Sequence, residues 1–261
     1  TRPGFEPYIC IQNPGGTAAD VTITYMKGDA TTATETLTVL ANSRSTVIPS
    51  GTLGVADDHV HDFSAKLECT NGQQIVAERP MYFDYKGAWD GGHDVVGATE
   101  TGTAFFFAEG TTRPGFEPYI SIQNPSGLDA DVLITYMKGN GTIATELMTV
   151  PTNSRMTAIP ASTLGVADDH IHDFSIRVEC TNGQEILAER PMYFDYKGAW
   201  DGGHDVVGTK VTSTAFFFAE GTTRPNFEPY ICIQNPGGTA ADVTITYMKG
   251  DATTATETLT V

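Results

Sequence analysis

Residues 77–97 read AERPMYFDYKGAWDGGHDVVG, and residues 188–208 repeat them without one change. The offset of 111 residues holds along the whole chain. Arg2, Arg113 and Arg224 open the same TRP(G/N)FEPY segment, and FFFAEG at 105–110 returns at 216–221. An internal period is weighed before any local pattern, because it decides how many times one fold is used. A unit of this length is close to the commonest domain size and can bury a core of its own.

Inside one unit the apolar residues alternate with period two, and no 3.6-residue pattern lasts beyond a turn. The complete copy predicts strands at 105–107, 119–123, 131–138, 143–150, 155–159 and 174–180, then a long one over 185–196. The glycine-rich WDGGHD is expected to turn before a short strand at 206–207, and 161–167 to form one helical turn. Short strands separated by turn signals predict an all-β chain of tandem immunoglobulin-like antiparallel β-sandwich domains.

The expected units are residues 1–97 (type A, without its first strand), 104–208 (complete, type B) and 215–261 (incomplete, type A). Polar linkers of six residues, at 98–103 and 209–214, span at most about 20 Å and hold neighbours nearly in contact. The ends at Thr1 and Val261 fall inside the repeat unit, so the sequence is expected to be a piece of a longer repetitive protein. Copies one and three differ only at Gly4 against Asn226 over their shared stretch, whereas copy two departs at ten positions. Several of these departures replace a small or polar residue by an apolar one: Leu128, Leu133, Ile143, Leu147 and, further on, Met156. Apolar residues gathered on a surface mark contact sites, so these five are the self-association candidates.

FAEGTTRPGFEPY, IQNP, AERPMYF and GGHDVVG, in this order, resemble a family of bacterial extracellular β-sandwich repeats of unknown function. The resemblance covers nearly the whole chain. It implies strings of domains in large secreted or surface-attached proteins, and it carries no catalytic residue or ligand.

Thirty-two acidic against fifteen basic side chains give a net charge of −17. That balance argues against nucleic-acid partners and anionic membranes. No apolar run is long enough for membrane insertion as a helix.

Asp57, Asp58, His59 and His61, with their counterparts Asp168, Asp169, His170 and His172, are the metal candidates. Histidines two apart share a face of a strand and could bind zinc with a carboxylate, and Ca²⁺ suits the acidic loop better. The competing reading is a polar loop whose aspartates accept backbone N–H groups. Trp89 and Trp200, each beside aspartate and tyrosine, could form a sugar platform, or pack over a tight turn. No serine stands in a nucleophile elbow, so no enzyme is expected. Arg79, in an apolar strand, needs a partner and is expected to find Glu6 or Glu109. Cys10 and Cys69 stand where antibody-type domains carry their bridge, while Ser121 replaces the first cysteine in copy two. Cys180 with Cys232, or all thiols free, are the alternatives. Asn140-Gly141-Thr142 is a glycosylation sequon found in copy two alone.

The function expected from these features is a structural repeat of a long extracellular filament or cell-surface stalk. Its partners would be neighbouring repeats and chains. The alternative is an adhesin or carbohydrate-binding array that meets cell-wall or surface glycans by avidity.

Overall fold

The alternation read from the sequence becomes strand in the first two copies of the computed structural model, which describes residues 1–261. Copy one contains β1 (Phe5–Pro7), β2 (Ile9–Asn13), β3 (Ala19–Lys27), β4 (Thr32–Val39) and β5 (Ser43–Val47). After the short helix α1 (Ser50–Leu53) follow β6 (Phe63–Cys69), β7 (Val76–Glu78), β8 (Met81–Tyr85) and β9 (Trp89–His93). Copy two opens with β10 (Ala104–Phe107) and continues with β11 (Phe116–Pro118), β12 (Ile120–Asn124), β13 (Ala130–Lys138), β14 (Ile143–Val150) and β15 (Ser154–Ala158). Helix α2 (Pro160–Leu164) leads to β16 (Phe174–Cys180), β17 (Leu187–Glu189), β18 (Met192–Tyr196) and β19 (Trp200–His204). Copy three forms one hairpin, β20 (Asp242–Met248) with β21 (Thr254–Thr260).

All paired strands are antiparallel, and the small sheets are consistent with a β-sandwich. In copy two the order β10-β16-β13-β14 faces the order β15-β12-β17. Between them lie Phe105, Phe107, Ile134, Tyr136, Ile176 and Val178 from one side and Ile120, Ile122 and Ala188 from the other. Phe105 pairs with Val178 and Phe107 with Ile176, so the FFFAEG strand joins the core of the residues that follow it. Copy one repeats the arrangement as β4-β3-β6 and β5-β2-β7.

Asn124 explains the IQNP motif. Its side-chain amide is fully buried and donates to the carbonyls of Leu128, Val150 and Pro151, while its Oδ1 accepts from the Ser126 N–H. One side chain thereby ties the loop before β13 to the end of β14 and the residue after it. Asn13 does the same in copy one.

Three local expectations are corrected. WDGGH is strand, not turn: β9 and β19 pair with β8 and β18, and the reversal falls on the residues before them. Lys86 and Gly87, like Lys197 and Gly198, have positive φ at both positions, the backbone of a type I′ turn closed by the Ala88 or Ala199 N–H on the Tyr85 or Tyr196 carbonyl. The strand expected over 185–196 breaks at Arg190-Pro191, because proline has no N–H to donate. The Pro191 carbonyl instead accepts from the Tyr119 N–H, and the sheet bends there into the order β11-β18-β19. His59–His61 and His170–His172 are single 3₁₀ turns rather than strand. No helix is long and apolar enough to cross a membrane.

The cysteine pairing is also corrected. All four cysteines are free thiols, including Cys10 and Cys69. Cys10 lies between the buried Ile9 and Ile11, so the pleat turns its sulfur to the outer face. Cys69 faces the core side, packed against the buried cluster of copy one. Titration of the denatured chain with a thiol reagent, without prior reduction, is expected to find four thiols; finding two would restore a bridge.

Candidate functional site at the junction of the repeats

The stretch that repeats without change supplies most of the contact between one copy and the next. From copy one come Arg79 and the aromatic side chains of β8. From copy two come Tyr193, at the position of Tyr82, and Asp205, just beyond β19. Alternation along β18 turns Tyr193 out of its own unit. It stacks on Tyr85 at 4.4 Å between ring centroids and meets Phe83 edge-on at 4.9 Å. Phe5, Trp89 and Tyr119 complete this aromatic cluster. Its counterpart Tyr82 is 59% exposed, against 6% for Tyr193, so the neighbour and not the fold buries this ring.

Polar contacts surround the rings. Tyr85 donates to Glu117 at 2.6 Å, Tyr85 and Tyr119 share a hydroxyl contact at 2.6 Å, and Lys86 donates to both oxygens of Glu117 at 2.7 Å. The Lys86 ammonium beside it and the two hydroxyls draw the Glu117 carboxyl down, against the upward push of its partial burial. Gln123 reaches across to the Ala65 carbonyl and the Met26 sulfur. Arg155 points at Asp62 from 4.0 Å.

Arg79 takes neither expected partner. It donates to Asp205 at 2.6 Å and faces Glu189 at 3.2 Å, both in copy two. Burial pushes both carboxyls up, against the pull of Arg79 on each and of Arg155 on Glu189. Its counterpart Arg190 pairs with Glu109 at 3.0 Å inside copy two. His93 lies in the same junction. Burial, with Arg79 nearby, lowers it to about 4, so its ring is neutral at neutral pH.

Gly91 and Gly92 of copy one lie against Gly202 and Gly203 of copy two, where β9 meets β19. A Cβ on Gly203 would stand 2.8 Å from Cζ of Phe83 across the junction, and one on Gly91 would stand 3.2 Å from the Gly202 Cα. Gly91 and Gly203 therefore serve close approach to the neighbouring copy, whereas a Cβ on Gly92 or Gly202 would meet Tyr82 or Phe194 of its own copy.

The contacts recur between copies two and three. Tyr196 donates to Glu228 at 2.7 Å and meets the Tyr230 hydroxyl at 2.6 Å, Lys197 holds Glu228, and Gln234 reaches the Ile176 carbonyl. On copy one a shallow groove lined by Cys10, Gln12, Arg44 and Glu78 occupies the positions of Ser121, Gln123, Arg155 and Glu189.

The other candidates are placed as follows. Asp58 caps its 3₁₀ turn by accepting from the His61 N–H, and its carboxylate also meets His61 Nδ1 at 2.6 Å. Arg2 bridges Asp57, His59 and Asp62. In copy two Asp169 caps and meets His172, while Arg113 bridges Asp168, His170 and Asp173. These loops thus clamp the TRPGF segment to its own unit, and no three His, Cys, Asp or Glu side chains converge on one point there. Trp89 stacks on Tyr85 and Trp200 on Tyr196, so one ring face of each is taken.

The self-association candidates do not form one patch. Leu133 and Leu147 are direct cross-strand partners on the outer sheet face. Ile143 lies about 13 Å further along the same strand. Leu128 sits in the loop before β13, and Leu128, Ile143 and Leu147 are all exposed. Met156 leaves the set: opposite Ile122, whose side chain is wholly buried, it faces inward and packs against the core.

No family model, curated protein or solved structure matches this chain. The family resemblance therefore stands on its four sequence motifs.

Proposed function

We propose that the chain is a structural repeat of a long extracellular filament or cell-surface stalk, built from tandem immunoglobulin-like units of 111 residues that alternate in type. The observation that carries this reading is the recurrence of one junction. The Tyr85–Glu117–Tyr119 contacts return as Tyr196–Glu228–Tyr230 with distances unchanged to within 0.1 Å. A contact whose two faces differ, repeated without closure, propagates as a string. The extracellular location follows the family resemblance, and the acidic charge favours solubility. Small-angle scattering is expected to give a stiff rod that lengthens evenly with added repeats. Scattering from freely hinged beads would overturn the structural reading.

An adhesin or glycan-binding array is the second reading, supported by Trp200, which remains 37% exposed. A tryptophan fluorescence change on adding cell-wall glycans would favour it.

Lateral association of chains is assigned to the Leu133–Leu147 pair with Ile143 on the same face. Burying two leucine side chains contributes a few kcal/mol by area, about 25 cal/mol per Å². One such contact does not hold two chains once association entropy is counted, but repetition raises the effective concentration of each later contact. Leu133→Thr with Ile143→Thr is expected to leave the units folded and reduce bundling seen by light scattering. Unchanged bundling would remove these residues from the interface.

A further inference from the structure

Asparagine followed by glycine leaves its side-chain amide open to attack by the next backbone nitrogen, because glycine has no Cβ to hinder ring closure. The chain has three such pairs: Asn71-Gly72, Asn140-Gly141 and Asn182-Gly183. Two of them are tied at both ends of the amide. Asn71 donates from Nδ2 to the Ala18 carbonyl at 2.8 Å, and its Oδ1 accepts from the Asp20 N–H at 3.2 Å. Asn182 does the same with the Asp129 carbonyl at 2.9 Å and the Asp131 N–H at 3.2 Å. Each therefore pins its turn to a loop distant in sequence and cannot swing without breaking those bonds.

Asn140 differs. It is exposed at the tip of the β13–β14 hairpin. Its Oδ1 accepts only from the N–H and hydroxyl of Thr142, at 3.1 and 2.7 Å, inside the same turn, and its Nδ2 has no protein partner. A Cβ on Gly141 would meet nothing within 4 Å, and the Gly141 N–H donates only to the Lys138 carbonyl of the same turn, at 2.9 Å, a bond that opens before the nitrogen can attack.

We propose that Asn140 is a site of spontaneous deamidation, carried by the type B copy alone. The Gly141 backbone nitrogen, having lost its proton to solvent base, bonds to Cγ of Asn140. The Cγ–Nδ2 bond breaks and ammonia leaves with the proton it needs, giving a cyclic imide. Water then adds to either imide carbonyl, and opening of the ring yields aspartate or isoaspartate. The step needs only water as co-reactant and involves no redox change. The two hydrogen bonds from Thr142 polarise the carbonyl that is attacked and leave the departing nitrogen facing solvent.

The type A copies show that the aspartate product fits. Asp29 and Asp251 occupy the same turn and accept from Thr31 and Thr253 in the same way, at 3.0 and 2.7 Å and at 3.0 and 2.6 Å. Asp29 also lies 4.0 Å from Lys27, and Lys138 is the corresponding lysine in copy two. Isoaspartate would add a methylene to the main chain of a turn too short to absorb it.

The test is peptide mapping of the 261-residue chain after incubation at mildly alkaline pH. Two tethers to a distant loop, against the one turn bond of the Gly141 N–H, leave a net difference of one bond, which should slow Asn71 and Asn182 by about fivefold relative to Asn140 while the chain is folded. In denaturant the three rates should converge. Gly141→Ala should slow Asn140 and spare the fold, since Ala30 holds positive φ at the same position. Equal rates at the three sites in the folded chain would overturn the proposal. So would an Asn140 that stays intact when folded but converts when denatured.

Discussion

Replacing Arg79 by methionine is expected to open the junction between copies one and two while leaving each copy folded. Arg79 faces the buried Asp205 and the half-buried Glu189, and both carboxyls belong to the neighbouring copy. Removing one partner of a buried charge pair costs about 3–5 kcal/mol, chiefly because the remaining charge is left without an answer. Here only Asp205 is left fully buried, while Glu189 is part-exposed and keeps Arg155 nearby, so the loss should fall at the lower end. Scattering would show it as a hinge between the two units, and urea titration as a lower midpoint for copy one. Adding Glu189→Gln and Asp205→Asn to the methionine variant should recover most of the loss, because an uncharged cluster of similar volume has little to desolvate. If the single variant lies within about 0.5 kcal/mol of the parent, the cluster is a surface contact in energetic terms and the aromatic rings hold the junction alone.

Phe105→Ala should be as costly, but inside copy two. Phe105 is 1% exposed and Phe107 4%, and both pack against Ile176, Val178 and Ile120. Truncating a buried phenylalanine to alanine costs about 3–5 kcal/mol through lost transfer energy and the cavity left behind. Trp200 reports on copy two if Trp89 is first replaced by phenylalanine, so the unfolding midpoint can be assigned. The same substitution at Phe216, which is 60% exposed and lies in no strand, should change the midpoint of copy two little. Equal effects at Phe105 and Phe216 would mean that the FFFAEG strand does not act through the core of copy two.

The fold class was legible because period-two alternation is a local signal. Residues 174–180 are a strand to the residue, with Phe174, Ile176 and Val178 inward as their spacing demands. Misreadings came where turn chemistry competed. Lys197-Gly198 was passed over in favour of the more conspicuous Gly202-Gly203, because two glycines read as a turn unless something else requires their lack of a side chain. At Gly203 what requires it is Phe83 of the neighbouring copy, which no single-unit pattern shows, and at Gly202 it is the Phe194 ring of the paired strand. Arg79 failed for the same reason: Glu189 and Asp205 lie more than a hundred residues away and belong to the next unit. The Cys10–Cys69 bridge was suggested by position in the strand order, but parity along β2 decides against it, since Ile9 and Ile11 hold the inner face. The junction was visible only indirectly, as the stretch that the chain repeats without change.

Copy two takes in the chain and lets it out at one corner. Phe106 and Thr209 exchange backbone hydrogen bonds at 2.8 and 3.1 Å, and Lys210 reaches back to Glu100. The two segments run antiparallel, so their outer ends emerge side by side. Tension drawn along the covalent chain would therefore peel these few bonds apart, not pull through the length of the sandwich. In the proposed string, resistance to stretching would then come from the faces pressed between units. The linker before copy two is itself bonded into that copy, through Gly102 with Ile186 and the Thr103 carbonyl with the Cys180 N–H, so a pull would release chain length only as these bonds give way.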